Sequence, residues 1–167
     1  MSVRLVVRSE LLPASSFILR ETRRPDYHPR VNATDRLVVA IDRSTREEIL
    51  RMIETLRGAA GVFKIGLQAF VANGPALVRE IVANGDRVFL DLKIHDIPNT
   101  AMHAVAEVAK LGASIATVHA GGGHAMLSAC ASSLSSSGRG ADLANVARSA
   151  ADVATSPLLV LGVTVLT

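Results

Sequence analysis

The sequence predicts an α/β protein, a (β/α)8 barrel of which about the first five strands are present, preceded by an irregular N-terminal extension. Three observations carry this prediction. Short aliphatic runs alternate strictly with stretches of helical period, and that order of elements implies a parallel sheet. Aromatic residues make up only 3% of the chain and Trp is absent, so the core must be built from Val, Leu, Ile and Ala, which suits strands covered by helices. Several strands carry a polar residue near their C-terminal ends: Asp42, Lys64, Asp91 with Lys93, and His119. In a barrel those ends converge on one mouth, where active sites lie. A doubly wound open sheet also fits the alternation, but it more often carries a glycine-rich phosphate loop after its first strand. Here Asp42-Arg43-Ser44 follows the first strand, and the barrel is favoured.

The elements can be read in order. Leu37-Val38-Val39-Ala40-Ile41 is a short aliphatic run, the first buried strand. Ser44 and Glu47 have the spacing of a capping box, and Ile49, Leu50, Ile53 and Leu56 follow at helical spacing up to a stop at Gly58. Val62–Ile65 is the second strand, and a helix through Pro75–Val82 ends near Asn84-Gly85. Arg87–Leu92 is the third strand. Pro98 opens a helix with Met102, Val105, Val108 and Leu111 on its apolar face, and Gly112 closes it. Ser114–Val118 is the fourth strand. His124–Val153 is rich in Ser, Ala and Gly and is expected to hold one or two helices, and Leu158–Val165 is the fifth strand.

Two regions follow from this, an extension over residues 1–36 and a partial barrel domain over 37–167. The extension lacks a sustained period and is interrupted by Pro25, Pro29 and Asn32. It is expected to be disordered or to reflect a start codon assigned too far upstream. It holds seven Arg against four acids, which accounts for the whole net charge of +3 and leaves eleven basic against eleven acidic groups in the rest. A balanced body with no basic cluster argues against nucleic-acid binding. The single cysteine, Cys130, excludes a disulfide framework and a cysteine-based metal site. No apolar run approaches the roughly 18 residues that span a bilayer. A barrel needs eight strands and five are legible, so the chain is expected to be truncated at its C-terminus.

The chemistry concentrates on the third strand. Asp91 and Lys93 stand two apart, so a regular strand points both to one face. Asp96 lies just beyond, in the turn before Pro98, which places a lysine between two carboxylates. An ammonium group so placed is favoured in its charged form and can give a proton to a carbanion formed within reach. A salt-bridged lysine at a strand end is the plainer reading of the same spacing. Asp42 and Lys64, at the same mouth, add an acceptor for a hydroxyl and a second cation.

The run Asp91-Leu92-Lys93-Ile94-His95-Asp96-Ile97-Pro98-Asn99-Thr100 resembles the signature of the orotidine 5′-phosphate decarboxylases. Asp-x-Lys-x-x-Asp by itself is shared with magnesium-dependent sugar-phosphate decarboxylases of the same superfamily, and the Ile-Pro-Asn-Thr tail points to the nucleotide enzyme. Val39–Asp42, Phe63–Gly66 and Gly162–Thr167 agree. The resemblance covers residues 36–167. It implies a (β/α)8 TIM barrel that decarboxylates orotidine 5′-phosphate to uridine 5′-phosphate without cofactor or metal. It also implies a cytoplasmic homodimer with active sites shared across the interface. Lys93 matches the proton donor, Asp91 the carboxylate beside the departing group, and Asp96 a carboxylate that enters the neighbouring subunit's site. Asp42 and Lys64 match groups on the ribose hydroxyls. Thr100 matches a residue reaching across the dimer, Asn99 lies with it in the substrate-binding set, and Thr167 matches a contact to the pyrimidine. His119 receives no role. The family's phosphate-gripping end is not among the motifs found, so the chain alone is expected to be inactive. A non-catalytic fragment, or one half of a split gene, is the rival reading.

Overall fold

The computed structural model describes residues 33–136 and 158–164. The strands are β1 (Val38–Ala40), β2 (Val62–Gly66), β3 (Val88–Ile94), β4 (Ile115–His119) and β5 (Leu159–Val163). Between them run α1 (Arg46–Leu56), α2 (Leu67–Ala83), α3 (Pro98–Lys110) and α4 (Gly123–Ser136). All four pairings are parallel, and the order across the sheet is the order along the chain. A doubly wound sheet reverses its strand order at a switch point. This one does not, and the sequential order is that of a barrel wall.

The two faces of the sheet differ. Alternate residues Ile41, Phe63, Ile65, Val88, Leu90, Ala116 and Val118 are buried together with Ile49, Ile53, Leu77, Val78, Ile81 and Val105 from the helices. That face is a closed aliphatic core with one aromatic ring, as the composition requires. The residues between them, Ala40, Lys64, Phe89, Asp91 and Ile115, are only partly buried and carry the polar groups.

The two ends differ as well. At the N-terminal end of the strands, Arg57 makes a two-pronged hydrogen bond to the buried Asp86 (3.2 and 2.8 Å). Arg87 there donates to the Gly61 carbonyl at 2.7 Å and to Asp35. Gly61 must be glycine: a Cβ would lie 2.6 Å from the Arg87 guanidinium and from the Asp35 Cα. Asp35 belongs to a 3-10 turn, Ala33–Arg36, so four residues that the sequence reading gave to the extension dock on the barrel domain. The rest of the predicted extension lies outside the described residues. So does the predicted helical stretch beyond α4.

Local expectations held where they rested on glycine. Gly58, Gly85 and Gly112, the three predicted stops, all have positive φ after their helices. The capping prediction was one residue early. Thr45, not Ser44, caps α1: its hydroxyl accepts from the Glu48 amide at 3.4 Å and donates to the Glu48 carboxylate at 2.9 Å. Ser44 is occupied elsewhere, its Oγ accepting from Gln68 Nε2 at 2.7 Å. The predicted helix from Pro75 is preceded by a helical segment over 67–73, and the non-helical Gly74 (φ 68°) breaks α2 between the two.

Candidate active site

The C-terminal half of β3 is not a regular strand. Leu90 pairs with Ala116 and Ile94 with Val118, so β3 advances four residues while β4 advances two. The bulge absorbs the excess, as bulges next to active sites do. Within it Lys93 has φ 52°, the one positive φ among the described residues that are not glycine. That conformation places the Lys93 amide against a side chain: it donates to Thr117 Oγ1 at 2.9 Å.

The bulge brings Lys93 Nζ to 2.9 Å from Asp91 Oδ2, and Lys64 Nζ from β2 approaches the same oxygen at 3.6 Å. Thr117 donates to the other oxygen, Oδ1, at 2.9 Å. Sequence spacing predicts a lysine between two carboxylates. The structure has the inverse, one carboxylate between two ammonium groups. Asp96 is exposed, makes no ion pair with Lys93, and accepts from the neighbouring Ile97 amide at 2.7 Å. Ile97, between Asp96 and the proline that opens α3, is held extended (φ −58°, ψ 152°).

Asp91 is 13% exposed, and burial acts to raise its pKa. The hydrogen bonds from Lys93 and Thr117 and the charges of Lys93 and Lys64 outweigh burial and hold the carboxyl below its ordinary range. An ionised acceptor with two cations on one oxygen is therefore fixed in place at neutral pH.

The remaining predicted site residues sit around this trio. Asp42 is exposed just beyond β1, whose ladder continues through the Ile41 amide to the Lys64 carbonyl at 3.0 Å. Asn99 and Thr100 are exposed in the first turn of α3. Thr167 lies outside the described residues. His119 Nδ1 accepts from the Gly121 amide at 3.3 Å, and its ring stacks on His95 with centroids 4.9 Å apart. Thr117 was missed. Its signal was present, a lone polar residue in the aliphatic run Ile115-Ala116-Thr117-Val118. Among the described residues no three His, Cys, Asp or Glu side chains gather in a group that could hold a metal ion.

A family model described as Orotidine 5'-phosphate decarboxylase / HUMPS family matches residues 35–167. The chain belongs to that family. Curated relatives named orotidine 5'-phosphate decarboxylase include one from Moorella thermoacetica, 44% identical over 63% of this chain and 42% of its own length. Another, from Paramagnetospirillum magneticum, is 43% identical over 77% of this chain and 50% of its own. One from Escherichia fergusonii is 40% identical over 81% and 56%. A crystal structure of orotidine 5'-phosphate decarboxylase from Lactobacillus acidophilus superimposes with a TM-score of 0.63 at 31% identity, covering 78% of this chain and 53% of that one. The chain spans about half the length of the relatives it matches. The orotidine 5′-phosphate decarboxylase / HUMPS match begins two residues before the predicted domain boundary, at Asp35, which anchors Arg87.

Proposed function

We propose that this chain carries the decarboxylating centre of an orotidine 5′-phosphate decarboxylase, converting orotidine 5′-phosphate to uridine 5′-phosphate in pyrimidine synthesis. The observation that carries this reading is the Lys64–Asp91–Lys93 trio at the C-terminal end of parallel strands. In the proposed reaction the bond from C6 to the substrate carboxylate breaks and carbon dioxide leaves. The electron pair stays on C6, and the Lys93 ammonium stabilises it electrostatically. Lys93 Nζ then gives its proton to C6, and the neutral amine regains one from solvent. Asp91 holds Lys93 in line and lies beside the departing group. No cofactor takes part.

Asp42 and Lys64 bind the ribose hydroxyls, Asn99 and Thr100 contact the nucleotide, and Thr167 contacts the pyrimidine. Asp96 and Thr100 serve the site of a second subunit in a cytoplasmic homodimer. What supports the dimer is the run His95–Thr100, exposed throughout, with Ile97 67% exposed and Leu67 and Val71 also uncovered. Asp96 is exposed and makes no ion pair with its own Lys93, which leaves it available to a partner.

The test is Lys93→Ala in a chain completed to the relatives' length with a relative's C-terminal half. Decarboxylation should fall by at least roughly 10²-fold, the usual contribution of a positioned proton donor. Near-normal turnover would sink the assignment, and turnover that requires added magnesium would favour a sugar-phosphate decarboxylase. The 167 residues expressed alone are expected to be inactive, which a direct assay of carbon dioxide release checks.

A further inference from the structure

Thr117 is joined to both halves of the centre through a single atom. Its Oγ1 accepts from the Lys93 amide at 2.9 Å and donates to Asp91 Oδ1 at 2.9 Å. The direction of each bond is forced. A backbone amide can only donate and an ionised carboxylate can only accept, so the one hydroxyl proton must point at Asp91. Thr117 is 3% exposed, so water is poorly placed to replace it. The bulge explains why a side chain is needed. Where β3 slips against β4, between Leu90 and Ile94, the hydroxyl takes the place of a ladder carbonyl for the Lys93 amide. Its other bond engages Oδ1 and leaves Oδ2 to Lys93 and Lys64.

We propose that Thr117 is a positioning residue of this site, coupling the bulged Lys93 backbone to the orientation of the Asp91 carboxylate. The role rests on the reading of Asp91 and Lys93 as the reacting pair. Neither bond survives loss of the hydroxyl, whereas serine keeps both.

The test compares Thr117→Val with Thr117→Ser in the 167-residue chain, using NMR for the Asp91 carboxyl titration and for exchange of the Lys93 amide. Valine should make Asp91 titrate at higher pH than in the unmodified chain. It should also speed Lys93 amide exchange by about ten-fold or more, since that amide loses its acceptor. Serine should restore both. In a chain completed to the relatives' length, valine should lower kcat roughly ten-fold or more with KM little changed, and serine should recover kcat. A valine variant that keeps the unmodified Asp91 titration and Lys93 exchange overturns the proposal. So does an unprotected Lys93 amide in the unmodified chain, a result that needs no variant to fold. Failure of the catalytic reading is separate: it would appear as full activity in Lys93→Ala while the Thr117 effects on Asp91 persist.

Discussion

At the scale of single residues, the site stores conformational energy. Lys93 adopts the left-handed region at φ 52°, which costs a side-chain-bearing residue roughly 1–2 kcal/mol and costs glycine little. Lys93→Gly should therefore be more stable than Lys93→Ala by about 1 kcal/mol, because both lose the ammonium and only alanine keeps the strain. Urea denaturation of the two variants measures the difference, and equal midpoints would argue against strain. Asp91 supplies a pH test. Its folded pKa is depressed, so its contribution is present above the ordinary carboxylate range and is lost as pH falls through the lower, folded value. Asp91→Asn should be clearly less stable than the unmodified chain at neutral pH, with the gap narrowing in the acid range below about pH 4. A gap independent of pH would show that the carboxylate's charge is not what matters. The charged residues of this site were legible in the sequence; Thr117 and the arrangement were not. Strand alternation predicts that Asp91 and Lys93 share a face, and they do meet, but through a bulge that alternation does not contain. Asp96 was misplaced because spacing alone carries no information about the direction of a turn. Thr117 was overlooked because its role depends on a pairing between β3 and β4 that lies outside either strand's own pattern.

At the scale of elements, the capping result can be checked directly. Thr45→Ala should destabilise the domain by about 1 kcal/mol, the usual cost of removing a capping side chain. Ser44→Ala removes only a hydrogen bond from Gln68 on the exposed surface and should cost less. Thermal melts of both variants rank the two, and the opposite ranking would restore the cap to Ser44. Gly112 is a sharper case, since its φ is 84° and an added Cβ would meet Val82 Cγ1 at 2.9 Å. Gly112→Ala should cost more than 1 kcal/mol, combining backbone strain with a forced shift where α3 ends against α2. Five strands and three helices were legible from period and glycine punctuation, and α4 falls in a stretch expected to hold one or two helices. The boundary at Gly74-Pro75 is real, since the non-helical Gly74 kinks the chain there, but the helical segment 67–73 ahead of it was not foreseen. Asn73 holds that kink, its Nδ2 donating to the Ala69 carbonyl and to the Ser44 carbonyl, both at 2.9 Å. Such a contact between distant segments has no local signature.

At the scale of the whole molecule, charge is sorted by end. The buried Asp86 with Arg57, and Arg87 with Asp35, brace the N-terminal side of the sheet, while the Lys64–Asp91–Lys93 trio occupies the other. In barrels the first end serves stability and the second serves chemistry. Alternation of strands and helices is common to barrel and open sheet, and the sequence favoured the barrel through the polar residues at its strand ends and the glycine-free Asp42-Arg43-Ser44 after its first strand. The sequential pairing order agrees with that choice, and pairing is a property of segments far apart in the chain. That order has a consequence for how the molecule comes into being. Each strand after the first lies against the one made just before it, from Val38 beside Val62 through His119 beside Val163. Synthesis delivers residues at roughly 5–20 per second, slowly compared with helix and hairpin formation. A chain leaving the ribosome can therefore zip its sheet in the order of translation, each new strand docking on an edge already waiting for it.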